Sequence, residues 1–166
     1  MSNALAPSLA ARRQLSRGAS TLFGLILVAA FWTAGTAHAD VVNCDIMCIW
    51  ATNSETGMDE ALKGIKELKK PPFAGYSGYK LINHPSLTLA AGKTGETALT
   101  DKYKLSIAFG GTTTDAGKEK LALHVVVPPG RLDTRISSPS GKRFFLAGLK
   151  HKDGILILGI TCSRTD

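Results

Sequence analysis

Residues 103–127 read YKLSIAFGGTTTDAGKEKLALHVVV, and this stretch decides the fold class. Tyr103, Leu105, Ile107 and Phe109 alternate with Lys104, Ser106 and Ala108, the period-two pattern of a strand with one face in a core. Leu121, Leu123, Val125 and Val127 repeat that pattern on the return, which Pro128-Pro129-Gly130 closes. Between the two, residues 110–117 read as a polar loop.

The same texture extends on both sides. Toward the C-terminus, residues 143–147 and 155–161 predict a last hairpin around an Asp153-Gly154 turn. The run ILILGI at 155–160 is apolar on both faces and belongs in the centre of a sheet. Toward the N-terminus, residues 79–83 and 87–91 predict short strands broken at Pro85, and residues 92–101 are turn-rich. Further back, Val42, Cys44, Ile46, Cys48 and Trp50 fall on one face of a strand and Val41, Asn43, Asp45, Met47 and Ile49 on the other.

One segment departs from the period of two. Met58, Leu62, Ile65 and Leu68 recur at helical spacing, with Asp59 and Glu60 early and Lys66, Lys69 and Lys70 late, an order that suits the helix dipole. Pro71-Pro72 ends it, so a helix is expected over about 58–70. Strand, helix and then about six strands predict an α+β domain, mainly an antiparallel β-sheet or open β-sandwich with one packed helix.

The N-terminal segment has the three-part order of a secretory signal. Arg12, Arg13 and Arg17 precede an apolar run at residues 22–32, no acid occurs before Asp40, and Ala37-His38-Ala39 sets small residues at the positions a signal peptidase reads. A membrane span needs about 20 apolar residues, so residues 1–39 are expected to be a signal peptide cleaved between Ala39 and Asp40, and membrane attachment only through that segment if it is retained. Gln14-Leu15-Ser16 is an imperfect twin-arginine continuation, which favours the general secretory route. Residues 40–166 are then a single β-rich mature domain, exported to the periplasm or the extracellular space of a bacterium. Losing the three arginines lowers the formal charge of the chain from +7 to +4. That mild, mixed basicity, together with export, argues against nucleic acid as a partner.

Three cysteines bear on chemistry: Cys44, Cys48 and Cys162. Residues four apart on a strand are separated by about 13 Å, too far for a disulfide. Cys44 and Cys48 therefore do not bond each other, and a bridge, if formed, joins Cys162 to Cys44 or to Cys48. The sharper alternative is a thiol or soft-metal site using Cys44, Met47, Cys48 and Cys162. Its spacing is C-x3-C rather than C-x2-C, and on a strand Met47 faces away from both cysteines.

Other motifs dissolve on inspection. Gly92-Lys93-Thr94 lacks the upstream glycine of a phosphate-binding loop, because position 87 is Leu87, and Gly75-Tyr76-Ser77-Gly78 is not G-x-S-x-G. His84, His124 and His151 have no acid at informative spacing. A small hydrolase would need one of them to meet Asp101, Asp115 or Asp153 in a pocket. Phe144 and Phe145 are adjacent, so on a strand one points in and one out, and with Arg143 they make a candidate interaction surface. No catalytic residue, metal ligand or cofactor is assigned. The expected function is a non-catalytic exported domain with a binding or structural role in the bacterial envelope or outside the cell. Its expected partner is another envelope or secreted protein; a thiol or metal protein and a small hydrolase are the alternatives.

Overall fold

In the computed structural model the described residues are 40–165, so the expected leader and its Ala39–Asp40 junction lie outside them except for Asp40. The fold is built almost entirely of β-strands, ten in all among the described residues: β1 (Val41–Thr52), β2 (Gly57–Met58), β3 (Gly78–Asn83), β4 (Ser86–Ala90), β5 (Lys93–Ala98), β6 (Lys104–Asp115), β7 (Lys118–Val127), β8 (Leu132–Ser138), β9 (Arg143–His151) and β10 (Gly154–Arg164). None of the described helices is long and apolar enough to cross a membrane.

The strands form two sheets. One has the order β2-β3-β1-β10-β9, with β4 also paired to β1, and the other runs β5-β6-β7-β8. Val42, Cys44, Ile46, Cys48 and Trp50 of β1 and Leu156, Leu158, Ile160 and Cys162 of β10 meet Leu105, Ile107, Phe109, Leu121, Leu123, Val125 and Val127 of the second sheet in one core. Alternation explains this placement, since every second residue of each strand shares a face. β1 and β10 are central because their other faces are apolar as well: Met47, Ile49, Ala51 and Ile157 pack into a second cluster outside the sheet.

The segment covering that outer face corrects the expected helix. Residues 58–70 contain no α-helix; the chain makes 3-10 turns at Glu60–Leu62, Lys66–Lys69 and Phe73–Gly75. Leu62, Ile65 and Leu68 are all buried there, and their spacing of three satisfies a 3-10 turn as well as an α-helix. Gly64 disfavours a continuous helix, and Ile65 is extended (φ −88°, ψ 98°), which separates the first two turns. The Asp59 carboxylate accepts the Leu81 amide at 2.8 Å and anchors the segment to β3.

Three further boundaries differ from the sequence reading. Residues 110–117 are not a loop: Thr112, Thr113 and Thr114 pair with Leu121, Lys120 and Glu119, and the register shift between Phe109 and Gly111 absorbs Gly110 as a bulge. The turn is only Ala116-Gly117, both with positive φ (48° and 74°), the conformation of one of the two favoured two-residue hairpin connections. Residues 93–98 and 132–138 are strands, each at an edge of the second sheet. The last hairpin turns at Lys152-Asp153, with Gly154 already paired to His151.

Candidate functional site

Opposed residues on β1 and β10 include Cys44↔Cys162, and these two sulfurs form a disulfide closing a separation of 118 residues. Cys48 lies opposite Leu158 and is a buried free thiol. Burial pushes its pKa up from 9.0 to about 12. The thiolate is the form that attacks electrophiles and binds metals, so Cys48 is inert at neutral pH. Met47 sits in the other core cluster. Among the described residues no three His, Cys, Asp or Glu side chains are placed to hold a metal ion. We expect Cys48 to resist a thiol reagent at pH 8 in the native protein and to react at once in denaturant. Rapid native labelling would show that the core opens around β1.

The histidines find carboxylates that the sequence did not nominate. His84 Nε2 lies 2.9 Å from Asp45 Oδ2, and His124 Nε2 lies 2.6 Å from Asp133 Oδ1. Asp115 pairs with Lys120 instead, and Asp153 accepts from Thr52 Oγ1 at 2.7 Å. His124 faces outward on β7 beside Arg135 on β8, at a shallow groove of about 530 Å³ over Ala108, Gly110 and Ala122. Small side chains on the outer face of the second sheet make that groove. Among the described residues no serine or threonine hydroxyl hydrogen-bonds to either imidazole.

Arg143 is exposed on β9, but the two phenylalanines beside it are half-buried. Phe144 packs against the core between the sheets, and Phe145 against the outer 3-10 layer, 5.8 Å from Phe73.

A different constellation gathers around Trp50, the cross-strand partner of Lys80 on β3. Trp50 is 5% exposed at the end of the core. Lys152 Nζ lies 4.6 Å and Lys80 Nζ 5.8 Å from its ring centroid, and the His151 ring meets it edge-on at 6.0 Å. Register explains the assembly: Lys80 is the cross-strand partner of Trp50 on β3, and the two-residue turn after His151 carries Lys152 over the indole. Below, Tyr103 donates to the Lys150 carbonyl at 2.8 Å, and Lys102 Nζ sits 5.7 Å from the Tyr103 ring. Lys102 and Lys104, with Asp101, Ile82, Asn83, Thr100 and Pro128-Pro129, line an opening of about 760 Å³. His151 is held below the usual histidine range, first by burial and then by Lys152 and Lys102.

Nothing in the sequence joined these residues, because Trp50, Lys80, Lys102 and Lys152 come from four separate elements. The adjacent pairs Lys102-Tyr103 and His151-Lys152 were the only local signal. Comparison of the chain with protein-family models, with curated proteins and with solved structures finds no match.

Proposed function

We propose that this chain is an exported, non-catalytic binding domain of the bacterial envelope or extracellular space, working through the cationic mouth around Trp50. The observation that carries the reading is the mouth itself: Lys80 and Lys152 lie beside the Trp50 ring and Lys102 beside the Tyr103 ring, with Lys80 ion-paired to Glu55. Such an arrangement is suited to holding a partner, since lysine side chains over aromatic rings offer it both charge and apolar area. Export is supported by the disulfide, a bond that persists in oxidising compartments and is rare in the cytosol.

The test is to express the full chain in a bacterial host, fractionate the cells and take the intact mass. The expected product begins at Asp40, lies outside the cytoplasm and yields one alkylatable thiol after denaturation. A full-length cytoplasmic chain with three free thiols would sink the reading.

One observation favours a second reading. The His124–Asp133 pair at the edge of the outer groove has the parts of a general base, so a small hydrolase is the runner-up. Ester and phosphoester substrates separate the two: the binding domain leaves them intact, and a hydrolase would cleave them in a way that His124→Ala abolishes.

A further inference from the structure

We propose that β8 is a self-complementary edge through which two copies of this chain pair antiparallel, joining their second sheets into one. The proposal goes beyond the mouth around Trp50 and uses none of its residues. Among the described residues the two sheets end on β2, β9, β5 and β8. A sheet edge presents unpaired N–H and C=O groups, and shortness, a bulge, lysine or a covering segment ordinarily blunts it. β2 has two residues. β9 is interrupted at Gly148 (φ 125°), where its register with β10 slips, and it exposes Lys150. β5 exposes Lys93 and lies beside β4, with the Leu89 side chain against Gly95. β8 has none of these devices. Its sequence LDTRISS contains no lysine, proline or glycine, and it pairs with β7 without a slip from Leu132 to Ser138. Among the described residues no backbone hydrogen bond outside that ladder reaches residues 132–138.

Charge complementarity identifies the occupant as a second copy. Leu132, Thr134 and Ile136 are half-buried on the face turned to the core, and Asp133 and Arg135 are exposed on the other. Two-fold pairing that keeps both cores on one side of the joined sheet sets one residue opposite itself. Centred on Thr134, this register places Asp133 opposite Arg135 of the second copy, and Arg135 opposite its Asp133. Leu132 then meets Ile136, and the two copies of Thr134 meet each other. Opposite charges, threonine pairs and apolar pairs each favour such an alignment. Centring on Asp133 or on Arg135 would instead set like charges face to face, which is destabilising. Within one chain the two charges satisfy each other less well, since residues two apart on a strand are about 6.6 Å apart. Asp133 is bonded to His124 Nε2 at 2.6 Å, and among the described residues Arg135 has no carboxylate within ion-pair distance. Directly opposite residues bring their Cβ atoms to about 4.5–5.5 Å, closer than neighbours on one strand.

Apolar surface on the same side of the sandwich points the same way. β9 follows β8 through a short turn, and the two edges touch. Leu132 and Ile136 of β8 and Phe144 and Leu146 of β9 pack on the core but stay partly exposed. A second β8 laid along the first removes part of that area from water, which favours association.

Sedimentation equilibrium of the protein recovered from its host, over a range of concentrations, is expected to show a reversible monomer–dimer equilibrium. Asp133→Arg alone and Arg135→Asp alone each set like charges opposite in both symmetry-related pairs. Either is expected to weaken the dimer about tenfold or more. Mixing the two single variants is expected to restore association as a heterodimer, because the charges of one then oppose those of the other. The double variant Asp133→Arg/Arg135→Asp exchanges the two charges and is expected to dimerise about as the unaltered protein does. Overturning results are a monomer at every concentration, single variants that dimerise like the unaltered protein, or a mixture that fails to associate. The outcome depends on neither compartment nor ligand, so failure here leaves the export result and the mouth around Trp50 standing.

Discussion

Replacing both bridged cysteines, Cys44→Ala with Cys162→Ala, is expected to lower the free energy of unfolding by about 3–5 kcal/mol while leaving the domain folded, as loop closure over a span near 100 residues predicts. The reasoning separates the two states. In the folded protein β1 and β10 are already paired from Val42 to Ala51, so the bridge adds little that the ladder does not fix. In the unfolded chain the same bond ties together residues separated by 118 positions and removes a large set of conformations. The loss should therefore appear with a steeper denaturant dependence, because the unbridged chain expands further on unfolding. Urea unfolding of the two proteins measures both quantities. A loss below about 1 kcal/mol would mean that the unfolded chain keeps its first and last strands together without the bond.

That bridge also marks how far the sequence could be read. Geometry within β1 excluded a Cys44–Cys48 bond, but choosing the partner of Cys162 required the register between strands far apart in the chain. The register sets Cys44 against Cys162 and Cys48 against Leu158, and sequence periodicity gives the face of a residue without giving its row. The amphipathic strands were legible for the opposite reason. Leu105, Ile107 and Phe109, or Leu121, Leu123 and Val125, carry their burial in local alternation, and all six are buried in the core.

The errors share a physical source. Residues 93–98 and 132–138 are edge strands whose outward residues, such as Glu96 and Asp133, meet solvent, so their pattern is weak. The threonines at 112–114 were masked by Gly110, Gly111 and Gly117, although β-branched side chains suit a strand. Leu62, Ile65 and Leu68 read as helical because a spacing of three does not distinguish α from 3-10. The mouth around Trp50 was invisible because tertiary pairing alone brings Lys80 and the Lys152 turn to the same ring.

Gly154→Ala is expected to be among the most damaging single substitutions in the domain, costing about 3 kcal/mol or more, in the range of severe overpacking. A Cβ at this position would lie 2.9 Å from Trp50 Nε1 and 3.0 Å from the carbonyl carbon of Ala51, and closer still to the Ala51 oxygen. The obstruction is the backbone of β1, which cannot rotate aside as a side chain would. Relief requires β10 to separate from β1 at Ala51↔Ile155 or the Lys152-Asp153 turn to rise, and either shift unseats Trp50. The buried indole Nε1 has no hydrogen-bond partner in the protein, so its seating rests on packing, to which the close approach of Gly154 contributes. Gly64→Ala is the matching control, since a Cβ there meets nothing within 4 Å. That substitution should be neutral or stabilise by about 0.5 kcal/mol through the unfolded chain. Denaturation midpoints compare the stabilities, and near-ultraviolet circular dichroism reports the indole. If Gly154→Ala left both unchanged, β10 would have a relaxed seating against β1, and the position of Lys152 over Trp50 would not depend on the close approach at Gly154.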